Sequence, residues 1–571
     1  MAQFPPIIYV RGFAGGTQAI DKGVEDPLYG FNEGSTHVRI GARGIPGFYQ
    51  FASPLLRLKI DYKYELRVNG SQQRLLQEAA TGTLPAQTIW VYPFYDLSAS
   101  TFDKPPAPYG IEEAAHGLAD YMSQVLDKSQ DADQVYLVAH SMGGLVCRSA
   151  TQRFMYQPDL TPSHDQISAG AASVRDPSED AAPKHRRSHL RTFLSWILPA
   201  GMTQHQPEAG TGERPAPGQK KGRRAAASPG VFPVSKVVTY RTPHGGIDID
   251  LGGTIGDWVI ETFGPNGSDI FREPGIREYL CPQGMEGFEP EGGWDSRIPY
   301  FSALPAVRFL SLMGTNPADY DVTLGWASRA VGVKSDGLVQ IRNAYVKGST
   351  RAHIYRYHSG RYDMVNLEEG YQNLQRFLFG NIKVALSLSA LDLDTGGGTV
   401  WQANVALAIR EVPILMHCHS AHTHCPLVLS EDNRDSPLNL TPLVTAFLLP
   451  KPAAGPRRCT LDLRVFAVPE EGGFLSFGSH LEQVTDWQDT LLMDVYTKDD
   501  GTVGRAPYQW NSTVSGPIVQ AGPLKQKLTW AEAPGHTLKA SSWSATMDFP
   551  PVASKILGKK AHLDVGTAPW N

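Results

Sequence analysis

No stretch of the sequence comes near the about 18 uninterrupted apolar residues that a membrane-crossing helix needs. Cysteine is scarce as well: five in 571 residues, at positions 147, 281, 418, 425 and 459. An odd, scattered set excludes a disulfide scaffold and predicts a chain made in a reducing compartment. An excess of one charge sign is also missing. Lys plus Arg number 52 and Asp plus Glu 57, a net charge of −5. So small a balance predicts no nucleic-acid footprint and no acidic tail. The opening MAQFPPIIYVRGF lacks a basic segment followed by an apolar stretch and a small-residue cleavage site. No signal peptide is therefore expected. The expected location is the cytoplasm, with export by a leaderless route as the alternative.

Hydrophobic residues are plentiful, at 41% against 19% charged, so a large core is available. Disorder throughout and a coiled coil are both excluded. Three textures follow one another along the chain. From 1 to about 156, short apolar runs (7–10, 88–92, 135–139) alternate with helical patterns at 111–126 and 144–154. Alternation of this kind predicts a mostly parallel sheet flanked by helices. A segment at about 157–232, rich in Pro, Ala, Gly, Ser and basic pairs, reads as a disordered insertion. Within it, 190–198 (LRTFLSWIL) puts its apolar residues on one helical face. That face suits a lid or a peripheral membrane contact, or a short helix packed on its own domain. Strands are expected again at 236–240, 308–313 and 352–357, with a closing helix at 365–379. From 381 to 571 the period changes to two, at 383–391, 400–411, 460–468, 490–497 and 538–549. That pattern predicts an antiparallel sandwich. The expected units are therefore 1–380, interrupted by the insertion, and 381–571.

Chemistry concentrates at VYLVAHSMGGLVCR, residues 135 to 148. An apolar strand runs into Ala139-His140-Ser141-Met142-Gly143, and a helix follows. Small residues flank Ser141 because such a turn is strained and brings backbone close together, presenting the hydroxyl at the sheet's edge. A serine hydroxyl needs a base that is held by a third group, and both follow the serine in chain order. Asp336 sits in the turn Ser335-Asp336-Gly337. His358 follows the strand expected at 352–357 and precedes Ser359-Gly360. His140, His244 and His353 are the rival bases, and Asp363 and the pair Asp248/Asp250 the rival acids. The first strand ends in Arg11-Gly12-Phe13-Ala14-Gly15-Gly16. Its position makes the Phe13 amide one oxyanion donor, with the Met142 amide after the nucleophile as the other.

These residues, with Tyr240-Arg241-Thr242-Pro243-His244-Gly245-Gly246, make the chain resemble lipases and esterases of the α/β-hydrolase fold, in particular bacterial triacylglycerol lipases. The resemblance covers about 1–160 and 233–380. It implies an α/β-hydrolase domain, a Ser141–His358–Asp336 triad, an ester or lipid-like substrate and no cofactor. Such lipases carry His-Gly where this chain has Arg11-Gly12. Other readings of the same residues are a phospholipase-type toxin exported without a leader, an acyltransferase or amidase, and a binding protein with a dead hydrolase core.

Four His and two Cys crowd into 417–425, but their order matches no zinc spacing. The segment reads as a surface loop, and no metal is expected. The C-terminal region carries no second nucleophile motif. Its Trp401, Trp487, Trp510, Trp530 and Trp543 are expected either to fill the sandwich or to offer apolar contact area.

Overall fold

The computed structural model describes residues 4–12, 31, 35–40, 46–51, 53–67, 72–94, 110–157, 232–247, 270–285, 287–290, 292–316, 339–356, 364–394, 396, 399–423, 425–429, 440–450, 455–469, 485–498, 503–514, 524–532 and 543–570. The insertion, with the segment 190–198, lies outside them from 158 to 231.

The N-terminal part is built on strands β1 (Ile7–Val10), β2 (Ser35–Ile40), β3 (Pro46–Phe51), β4 (Glu65–Leu66), β5 (Thr88–Val91), β6 (Val135–His140), β7 (Val234–Tyr240), β8 (Phe309–Gly314) and β9 (Thr350–Ile354). Among the described residues, β2 and β3 pair only with each other. The other seven form one parallel sheet in the order β4-β5-β1-β6-β7-β8-β9. Burial on both faces explains why these strands read as continuous apolar runs rather than alternating ones. Successive side chains still point to opposite faces. Ile8 and Val10 join one core cluster with Leu137 and Val237, while Ile7 and Tyr9 join another with Val138 and Val238.

Helices cover both faces. They are α1 (Pro54–Tyr62), α2 (Gln72–Glu78), α3 (Ile111–Lys128), α4 (Gly143–Ser149), α5 (Glu273–Leu280) and α6 (Glu368–Phe379). α3 buries Ile111, Ala114, Ala115, Leu118, Tyr121, Met122 and Val125, the stripe read from its sequence. Glu112 and Glu113 in its first turn and Lys128 in its last complement the helix dipole. The helix expected at 144–154 is interrupted: α4 passes into a π-turn at Ala150–Phe154. There the Thr151 hydroxyl donates to the Cys147 and Arg148 carbonyls, which loosens the helical ladder.

The remaining strands are β10 (Ile382–Ser389), β11 (Thr399–Ile409), β12 (Leu415–His419), β13 (Leu427–Leu429), β14 (Leu440–Leu448), β15 (Arg457–Pro469), β16 (Trp487–Thr497), β17 (Val503–Arg505), β18 (Tyr508–Trp510), β19 (Ala531–Glu532), β20 (Trp543–Asp548) and β21 (His562–Pro569), with one helix, α7 (Pro551–Leu557). They make two antiparallel sheets, β14-β10-β21-β20-β19 and β12-β11-β15-β16-β17. Val384 and Leu386 of the first share one core with Val405 and Leu463 of the second, which makes the pair a sandwich. Trp401, Trp487 and Trp510 are buried in that core, and Trp530 and Trp543 are half-buried. The first three therefore fill the sandwich rather than offer a surface.

The sandwich is packed directly onto the parallel sheet's helical layer. Phe377 of α6 meets Phe447 and Trp570 at ring distances of 5.1 and 5.3 Å, and the Trp570 indole donates to the Phe377 carbonyl at 2.7 Å. Lys236 lies beneath this contact, 2% exposed, with its ammonium donating to the Leu378 carbonyl at 2.8 Å. Burial, and secondarily the nearby Arg308, push its pKa down to about 7. An unfolded lysine keeps its proton to about pH 10.4. Between those values the unfolded chain binds the extra proton, so stability rises with pH over that window and is lowest below it. Lys236→Met is therefore expected to raise the melting temperature near neutral pH, with the gain shrinking toward about pH 10. Thermal melts of both proteins across this range check the point, and a difference independent of pH would contradict it.

Candidate active site

Ser141 occupies the crossing from β6 into α4, at the C-terminal edge of the parallel sheet. Its φ is 53°, a left-handed conformation that costs a non-glycine residue of order 1–3 kcal/mol. The surroundings hold it there. Its N–H donates to the Tyr240 carbonyl at 2.7 Å, while its carbonyl accepts from the Gly144 N–H at 3.1 Å and the Thr242 hydroxyl at 2.8 Å. Close approach of β1 completes the clamp. A Cβ on Gly12 would lie 2.6 Å from the Ser141 Cβ, and one on Gly143 would run into the Val10 and Arg11 carbonyls. The small residues at both positions are thus required by space.

The Thr-Pro-His-Gly segment supports the resemblance to lipases, but the sequence assigns Thr242 no role. Its hydrogen bond to the Ser141 carbonyl is set by the parallel register of β6 and β7, which pairs His140 with Tyr240. Arg241, also at a φ of 53°, and Thr242 and His244 are fully buried beside it. Met142 is buried and starts the turn into α4.

Neighbouring strands end at the same edge. Beyond β8, Thr315 donates to the Ile354 carbonyl at 3.0 Å and Asn316 to the Arg356 carbonyl at 3.3 Å. Description stops after Asn316 until Val339, and after Arg356 until Met364. Asp336, His358 and the rival Asp363 fall within these gaps. Phe13 lies just past Gly12, and Asp248 and Asp250 just past Ile247; all three are likewise outside the described residues. The structure thus brings Gly12, Ser141, Met142 and Thr242 together, and it leaves the strand ends before Asp336 and His358 at the same edge.

Residues 75–169, which span the elbow, match the family model described as "Putative serine esterase (DUF676)". The N-terminal part thus has a helix-flanked parallel sheet like that of α/β hydrolases, and its residues 75–169 are similar to serine esterases. No curated protein matches the chain. Among solved structures, a gene product of Listeria innocua aligns at 10% identity and a TM-score of 0.22, covering 66% of this chain and 94% of that one. A "putative cell surface hydrolase" of Lactobacillus plantarum aligns at 10% identity and a TM-score of 0.24, covering 66% and 92%. At such scores the fold assignment rests on the sheet order itself.

Within this domain the rival bases have other surroundings. His244 is wholly buried, with Nε2 against the Thr239 hydroxyl at 3.2 Å. Burial, then Arg148, hold its pKa far below the usual imidazole range. The His140 ring lies beside Gly12. His353 is packed against His417 and His419 of the sandwich. The His- and Cys-rich segment is therefore not a surface loop: His417, His419 and Cys425 are buried against β9, and of its described residues only His422 is exposed. A small pocket lined by Leu310, Ala352, Arg376, Met416, His417 and Phe447 also lies at this junction, not at Ser141.

Proposed function

We propose that the chain hydrolyses carboxylic esters, lipid-like ones by preference, through an acyl-serine intermediate. Ser141 attacks the ester carbonyl. His358 takes the hydroxyl proton and returns it to the departing alcohol, while Asp336 orients the imidazole and stabilises its charged form. The amides of Phe13 and Met142 hold the oxyanion. Water then cleaves the acyl-enzyme by the same proton route. No cofactor enters this scheme.

The observation that carries the reading is Ser141's left-handed conformation, held between β1, β6 and β7 at the edge where the strands end. Strain retained at a polar residue in the strand-to-helix turn, with neighbouring backbone cleared of side chains to accommodate it, fits a nucleophile. The surroundings of His244 and His353 further favour His358 as base. Preference for lipid-like esters rests on the resemblance to lipases. Hydrolysis of p-nitrophenyl esters from acetate to palmitate, beside phospholipids, tests it. Turnover rising with acyl length is expected. Turnover of short esters alone would remove the lipid preference, and turnover of no ester would remove the reading itself.

A further inference from the structure

The junction between the parallel sheet and the sandwich contains a cluster that the ester chemistry does not use. His353 lies on β9, the edge strand, and is 3% exposed. His417 and His419 come from β12, and Cys425 follows the short 3-10 turn at Ala421–Thr423. All four are buried. Ring centres are 3.8 Å apart for His353 and His419, 4.9 Å for His417 and His419, and 5.3 Å for His353 and His417. One donor atom each of His353, His419 and Cys425 lies within 4.8 Å of the other two.

Packing alone does not account for this arrangement. Neither ring nitrogen of His353 has a hydrogen-bond partner, and neither does Nε2 of His417. A buried polar atom left so costs free energy that an apolar side chain in its place would not. Imidazoles beside a thiol are the donor set that zinc-type ions take.

We propose that His353, His419 and Cys425 form a zinc-type transition-metal site, with His417 as the adjacent imidazole that completes the set. Zinc bonds of about 2.0–2.3 Å require the donors to draw together from their present spread, by roughly an ångström. The ion clamps the sandwich to the edge of the catalytic sheet, on the strand that leads toward His358. Local spacing hides such a site, because His353 precedes His417 by 64 residues and belongs to the other domain. Binding is structural rather than catalytic, since every donor is buried.

The test uses the full chain, made metal-free with a chelator and titrated with Zn²⁺ or Co²⁺. The folded protein is expected to take up one ion per chain, and Zn²⁺ is expected to raise its melting temperature. The Co²⁺ form should show a thiolate-to-cobalt charge-transfer band. Cys425→Ser should lose that band, and His422→Ala, at the exposed neighbour, should keep it. No uptake of either ion by the folded wild-type protein would overturn the proposal, and this measurement needs no variant. A charge-transfer band persisting unchanged in Cys425→Ser would overturn it as well.

Discussion

Ser141→Ala is expected to lower kcat on a soluble ester by about 10⁴–10⁶, with KM little changed. In the proposed mechanism the hydroxyl is the bond-forming group, so its loss removes the acyl-enzyme route altogether. What remains is binding and oxyanion stabilisation, which together still exceed the reaction in water by about 10³. The substitution should leave the fold intact. Ser141 is held through its N–H and carbonyl, both of which alanine keeps. Alanine also adds nothing beyond the Cβ already accommodated beside Gly12. Steady-state kinetics with an unfolding curve on the same preparation checks both halves. Near wild-type turnover in the purified variant would remove Ser141 from the mechanism.

A loss nearly as large is expected for His358→Ala, together with a change in pH dependence. A base must be neutral to accept the proton, so wild-type activity should fall as pH drops below about 6.5, the usual imidazole value. The limb is present because the active form is the deprotonated one, and activity lost on acidification returns on neutralisation. His358→Ala should lose both turnover and limb. His244→Gln should keep the acidic limb, since burial already holds that imidazole neutral throughout the range. His353→Gln should keep it too, because its ring is engaged at the sandwich junction. A pH–rate profile for each variant decides between them. Retention of the limb in His358→Ala, with its loss in His244→Gln, would transfer the role of base to His244.

Local features were legible from the sequence and non-local ones were not. The elbow at Ser141 could be read because every element of it lies within about a dozen residues: an apolar run, small residues at a strained turn, and a helical pattern. The parallel sheet was readable for the same reason, since strands buried on both faces leave unbroken apolar runs. Thr242's contact with Ser141 depends on the register between β6 and β7, which no local pattern encodes. β14 carries Pro442, which hides it from a strand pattern. It is an edge strand, and Pro442 falls at a register shift opposite Ser387, where a missing N–H is tolerated. β21 contains Gly566, which weakens a strand pattern, yet Leu563 and Val565 are fully buried and it pairs with both β10 and β20. The strand expected at 352–357 in fact begins at Thr350 and ends at Ile354, because pairing with β8 rather than side-chain type sets its limits. The burial of 417–425 was invisible for a related reason: its covering surface, β9, belongs to the other domain.

The central claim is that Ser141 is the nucleophile of a serine hydrolase, and covalent labelling tests it most directly. A fluorophosphonate reacts only with a serine activated by its neighbours, and tandem mass spectrometry of the digested protein locates the adduct. The expected result is a single stoichiometric adduct on Ser141, formed at a rate that falls on acidification and absent in His358→Ala. Full-length folded protein that takes up no label, or that carries it on another serine while Ser141 stays unmodified, would contradict the claim.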